Sequence, residues 1–194
     1  MKMTAGGFAI IRLKFGSLSQ DAVDNINLIV ETCEKYKLSY PQTAYVLATT
    51  LWETARTFKP IEEYGKGKGR KYGTWYTNSK GVKYGIAGSG GSTYLYSDYP
   101  HLYYGRGHTQ NTWLDNYKYI KQRTGVDVVN NPSLLLDSKL SAEVTVLAMK
   151  EGWYTSKKLS DYINDNKKDY VGARRIVNGT DKAKEIADIA VVME

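Results

Sequence analysis

Apolar residues recur at helical spacing in several stretches of this chain. Ile26, Ile29, Val30 and Cys33 follow the i, i+3, i+4, i+7 rule and predict a helix over roughly 20–36. A second helix starts in "SYPQTAYVLATTLWETA". There Ser39 with Gln42 three residues on forms a capping box, and Pro41 suits the first turn. Its apolar stripe is Ala44, Leu47, Ala48, Leu51 and Ala55. Later, Trp113, Tyr117 and Ile120 predict a helix that opens at Thr112 and closes at Gly125. Leu140, Val144, Leu147 and Ala148 predict another that ends near Gly152. "DYVGARRIVNG" reads as a helix stopped by Asn178-Gly179, and Ala183, Ile186, Ala187 and Ala190 mark a last one.

Residues 64–104 break this pattern. The segment holds nine glycines and nine tyrosines, a composition that suits short hairpins or a structured loop and excludes a helix. A long irregular insert of this kind is usually functional or disordered. Its glycines fit neither the phosphate-binding loop nor the dinucleotide fingerprint. The expected architecture is therefore mainly α, with two helical halves flanking a cleft and a small Gly/Tyr-rich β or irregular lobe between them. At 194 residues the whole chain, 1–194, is most simply one domain.

Charge and cysteine content narrow the partners. The formal net charge is +7, which suits an anionic partner: nucleic acid, anionic lipid or an acidic wall polymer. A basic but otherwise ordinary soluble surface is the plain alternative. One cysteine, Cys33, rules out an internal disulfide, and its place on an apolar stripe makes it a packed core thiol. No apolar run is long enough to span a membrane. The opening "MKMTAGGFAIIRLKF" is broken too soon by Arg12 and Lys14 to serve as a signal peptide, so a cytoplasmic site of synthesis is expected.

Few residues are left for chemistry. Two histidines, His101 and His108, and a buried-looking thiol offer no H-E-x-x-H or C-x-x-C pattern, so no metal and no cofactor is implied. Carboxylates remain. In "LWETARTFKPIEEYG" Glu53 lies about 160° around the helix from Leu51, on a face with Val46, Thr49 and Thr50 that faces either solvent or a cleft. Pro60 ends any preceding helix and puts Glu62 and Glu63 in a loop or a first strand. Cleavage of a glycosidic bond needs one acid for the leaving oxygen and usually one ionised carboxylate. Glu53 with Glu62 or Glu63 meets that need, although acids this close in sequence are common.

Two blocks carry a resemblance. "LWETARTFKPIEEYG" followed by "YYGRGHTQNTWLDNY" is similar to the paired signature of the family 19 glycoside hydrolases, and within them to phage endolysins of the lysozyme-like fold. The second block is matched at Tyr103, Tyr104, Gly105, Arg106, Gly107, Gln110, Thr112, Asn116 and Tyr117. A later Ile/Val-Asn-Gly of the family is matched by Val177, Asn178 and Gly179. The resemblance implies that Glu53 is the general acid and that Glu63, or else Glu62, activates water, with Glu63 preferred. It implies that Thr112 helps to hold that water and that Gln110, Asn116, Tyr104, Asn178 and Glu62 contact substrate or shape the site. Thr112 also suits a helix cap with Asp115, and Asn178 is an ordinary residue before a C-terminal glycine.

The implied activity is inverting hydrolysis of peptidoglycan glycan strands by a monomer. The implied setting is a host cytoplasm, with access to the wall after holin-type release and the positive charge holding the protein to an anionic wall or outer-membrane surface. No nucleic-acid partner follows from it. Trp52 stands where the family has a histidine, and Gly-His-Thr-Gln replaces the commoner Gly-Tyr-Val-Gln, which bears on substrate preference. A chitinase of the same family is the near alternative. A non-catalytic binder of glycan or nucleic acid is the distant one, because basic grooves with stacking aromatics also hold single strands.

Overall fold

The computed structural model describes residues 3–194. Helix α1 spans Ala5–Phe15 and was not expected, since its hydrophobic residues cover the whole circumference and leave no stripe to read. Thr4 opens it by accepting from the Gly7 N–H. Helix α2 runs Gln20–Lys35 behind an Ser19 cap, and α3 runs Tyr40–Glu53 behind the expected capping box of Ser39 and Gln42. Strand β1 (Ile61–Glu62) follows. Next come β2 (Tyr76–Thr77), β3 (Lys83–Ile86) and β4 (Thr93–Leu95), and then β5 (Arg106–Gly107). Helix α4 covers Leu114–Thr124 and α5 covers Ser138–Glu151. The short α6 (Leu159–Tyr162) leads into β6 (Ile163–Asn164) and β7 (Lys167–Lys168), and α7 (Ala183–Met193) closes the chain.

The fold is mainly helical, with a small β lobe. In the 64–104 segment β2, β3 and β4 form an antiparallel meander that pairs Tyr76 with Tyr84 and Tyr84 with Leu95. The insert is thus ordered hairpins, with Trp75 edge-on to Tyr94 and Tyr96. Strands β1 and β5 pair across 44 residues of sequence, Glu62 opposite Arg106.

Two apolar cores support these parts. The helical core collects Ile26, Ile29, Leu47, Leu51, Met149, Ile176 and Ile186, with α3 packed on α7 and α2 on α5. The lobe's core collects Tyr94, Tyr103, Leu114, Tyr117, Ile120, Val128 and Leu135. Helix α5 serves both, giving Ala142, Val146 and Met149 to the first and Val144 to the second. Each fully buried aliphatic side chain contributes about 1.5–3 kcal/mol relative to exposure. A helix shared in this way ties the two cores together and leaves the cleft between them.

Three expectations need correction. Trp113 is not inside α4: it precedes the helix with φ 77°, and neither it nor Thr112 supplies a side-chain cap. "DYVGARRIVNG" forms a 3-10 turn at Gly172–Ile176 in place of a longer α-helix. The Thr-bearing face of α3 is neither solvent nor cleft, because Val46, Thr49 and Thr50 are fully buried. Helix α3 is enclosed on all sides from Thr43 to Leu51, and only its two ends emerge.

Candidate active site

A cleft of about 1060 Å³ separates the two halves and is lined from both. From the helical side come Glu53, Tyr154, Val177 and Asn178. From the lobe side come Glu63, Tyr72, Gly88, Gln110, Thr112, Trp113 and Asn116. Glu53 reaches the cleft because α3 ends on it. Thr54 caps the helix, and Ala55 and Arg56 then take positive φ, with the Arg56 N–H donating to the Leu51 carbonyl. Pro60 is thus not what stops the helix.

A carboxylate at a helix C-terminus meets the partial negative charge of the last carbonyls. Arg174 offsets it. Its Nη1 donates to Glu53 Oε1 at 2.7 Å, with Arg174 only 4% exposed and Glu53 18%. The same guanidinium donates through Nε to the Asp181 carbonyl. Nothing in the sequence singled out Arg174, which lies 121 residues from its partner. A buried arginine requires such a partner, but burial is visible only in the fold.

Glu63 follows β1 and is held by both oxygens. The Tyr72 hydroxyl donates to Oε1 at 2.9 Å, and the Gly105 N–H donates to Oε2 at 3.2 Å. Burial first, and then the Glu63 carboxylate, pushes the Tyr72 hydroxyl up to about 12, so it remains a donor. The Glu63 N–H also donates to the Gly105 carbonyl. A Cβ at Gly105 would stand 2.7 Å from Gln110 Oε1, so the Gln110 side chain would have to shift to admit it.

Glu62 and Tyr104, expected among the substrate contacts, stand outside the cleft lining. Glu62 accepts from Arg106 Nε at 3.2 Å and from the Tyr104 hydroxyl at 2.9 Å, with Lys66 at 3.6 Å. Burial raises its pKa, but Tyr104, Arg106 and Lys66 together outweigh it and hold the carboxyl below its ordinary value. The physical reason is the pleat: adjacent strand residues point to opposite sides, so β1 sends Glu62 to Arg106 and Glu63 to the cleft. Arg106 is itself a hub, donating to the Leu102 carbonyl and the Tyr117 hydroxyl and stacking 3.7 Å from the Tyr104 ring.

The other expected residues do line the cleft. Gln110 has φ 52° and donates through Nε2 to the carbonyls of Ile61 and Gly107, so it fastens β1 to β5. The Thr112 hydroxyl donates to the Gln110 carbonyl at 2.9 Å, which commits its proton and leaves its oxygen able to accept. Asn116 donates to the Thr112 carbonyl, and the Asn178 side chain accepts from the Gly179 N–H. Beneath them Tyr154 donates to Asn111 Oδ1 and meets the Thr109 hydroxyl, both at 2.8 Å. Burial raises the Tyr154 pKa, the hydrogen bond with Thr109 opposes it in part, and the nearby Glu53 charge adds to the rise. Trp52 takes no part. It points to a separate groove with Phe15, Leu51 and Ile189, since one residue along a helix is a turn of about 100°.

Compared with known proteins, the chain matches no family model and no curated sequence. Solved structures do resemble it. A variant of chitinase C superposes with TM-score 0.50 at 15% identity, covering 95% of this chain and 91% of that one. A bacterial family 19 chitinase gives TM-score 0.50 at 20% identity over 94% and 93%. Chitinase C from Streptomyces griseus HUT6037 gives 0.49 at 15% identity over 98% and 70%. The match at TM-score 0.50 to the bacterial family 19 chitinase shows that the chain has that enzyme's fold.

Proposed function

We propose that this protein is a glycoside hydrolase of the endolysin kind that cuts the glycan strands of bacterial peptidoglycan with inversion at the anomeric carbon. One observation carries the reading: two carboxylates from separate elements, Glu53 and Glu63, line one open cleft of about 1060 Å³. Glu53 delivers the proton to the leaving glycosidic oxygen. Glu63, fixed by Tyr72 and Gly105, takes the proton of a water that attacks from the opposite face of the sugar. Thr112 accepts that water's second hydrogen. Inversion needs carboxyl groups roughly 6.5–9.5 Å apart, against about 5–5.5 Å for retention. Placement of one acid at a helix end and of the other just past a strand on the facing wall suits the wider spacing.

A phage origin, a monomeric state and release from a host cytoplasm belong to the same proposal through the endolysin-like motifs. The solved structures named above are described as chitinases, which supports a second reading: the same chemistry on chitin. Release of reducing ends from sacculi and from chitin separates the two. Proton NMR of the first product tests the mechanism. A newly formed α-anomer from a β-linked strand is the expected result, and retained configuration or a glycosyl adduct on Glu63 would overturn it.

A further inference from the structure

The helical wall of the cleft ends in two cations. Lys157 and Arg175 both line it and are exposed to it, and neither makes an ion pair among the described residues. They come from different segments that the fold fastens together. The Thr155 hydroxyl donates to the Arg175 carbonyl at 2.6 Å and lies 3.1 Å from the Ile176 carbonyl, tying the loop after α5 to the 3-10 turn. That turn is fixed one residue earlier by the pair between Arg174 and Glu53. The position of the two cations is thus coupled to that of the acid.

The cleft's own acids do not call for them. Glu53 is matched by Arg174, Glu63 by Tyr72 and the Gly105 N–H, and Asp115 by the Ser92 hydroxyl at 3.3 Å. A chain of N-acetylglucosamine is neutral and would leave both cations without a partner. A glycan bearing carboxylates would satisfy them, Arg175 through its planar fork and Lys157 as a point charge.

We infer that Lys157 and Arg175 form a carboxylate-reading subsite that selects an acidic glycan over a neutral one. The inference rests on the cleft being the glycan site. Two sources supply that chemistry in peptidoglycan: the lactyl acid of the muramic sugar and the acids of its peptide stem.

Binding to the full-length Glu63→Gln protein, measured calorimetrically, tests it without turnover. The probes are a glucosamine–muramic acid tetrasaccharide with free lactyl carboxylates, the same sugar with amide-linked peptide stems, its uncharged methylamide, and chitin tetrasaccharide. At least one acidic probe should bind more tightly than both neutral ones, by about fivefold per engaged cation. Which acidic probe gains identifies the source. In Glu63→Gln combined with Lys157→Gln and Arg175→Gln the preference should fall below twofold, with an unchanged melting temperature because both side chains are exposed and unpaired. Equal binding of acidic and neutral probes, or a preference that survives the double replacement, overturns this inference alone. Failure to bind any of the four overturns the glycan reading of the cleft with it.

Discussion

Glu53 and Glu63 differ in what holds them, and that difference sets what their replacement should do. Glu53→Gln keeps the shape and an oxygen for Arg174 but has no proton to deliver. Lysis of sacculi should fall about 10²- to 10⁴-fold, the usual share of acid catalysis, with the circular dichroism spectrum retained. Undiminished lysis would remove Glu53 from the mechanism. Of the neighbouring acids, Glu63→Gln should cost turnover and Glu62→Gln should cost stability. The second change strips Arg106, 7% exposed, of its ionic partner and should lower unfolding free energy by roughly 2 kcal/mol. Chemical denaturation and sacculus clearing on both variants check the split. Clearing that falls equally in both would mean that the strand does not sort the two acids as described.

At the scale of elements, the geometry of the proposed site depends on how β1, β5 and the end of α3 are joined. The block "YYGRGHTQNTWLDNY" is less a set of substrate contacts than a joint. Tyr104 and Arg106 hold Glu62, the Gly105 N–H holds Glu63, and Gln110 spans to Ile61. Positive φ at Gln110 and Trp113 is strain that the surrounding hydrogen bonds sustain, as residues beside functional sites often do. Gly105→Ala puts a methyl against the Gln110 side chain and should shift the β1–β5 joint. Turnover should drop at least tenfold, by analogy with the large cost of small misplacements of catalytic groups, while the chain still folds. Rates within twofold of the parent would show that the joint tolerates the methyl and that Gly105 does not set the position of Glu63.

The whole molecule adds two electrostatic consequences. His108 is fully buried between α2 and α5, with Nε2 3.0 Å from Asn25 Oδ1 and its backbone N–H donating to Ser141. Burial lowers its pKa from 6.5 to about 4, against smaller opposing effects from Ser141 and Phe58. The folded value lies below the unfolded one, so this group favours unfolding as the pH falls. The loss begins below about 6.5 and is complete below about 4, for roughly 3 kcal/mol. Unfolding free energies from denaturant titrations at pH 7, 5 and 4 should show that decline, and His108→Gln should flatten it. A pH-independent difference between the two proteins would rule it out. The net charge of +7 acts over the same scale: binding to isolated walls should weaken between 0.05 and 0.5 M salt, as expected for partly screenable attraction at about these concentrations. Retention that is indifferent to salt would make the charge incidental.

Much of this was legible along the chain, because it depends on local periodicity and caps. The stripe of α2, the Ser39–Gln42 box of α3 and the glycine stops after α4 and α5 were all readable, as was a Gly/Tyr-rich lobe between helical parts. Acidic candidates were readable too, since Glu53 sits on a predicted helix and Glu62 and Glu63 follow Pro60. What was not legible depended on residues far apart in sequence. Arg174 became the partner of Glu53 only when the 3-10 turn folded against α3, and Glu62 was removed from the cleft by an arginine 44 residues away. Tyr72, Tyr154 and the Lys157–Arg175 pair entered the cleft in the same way. Helix spacing and capping are set by neighbours a few residues off, so the sequence alone determined them. Which carboxylate meets a cation and which meets the cleft is settled by burial and pairing across the fold, and only the tertiary structure decided it.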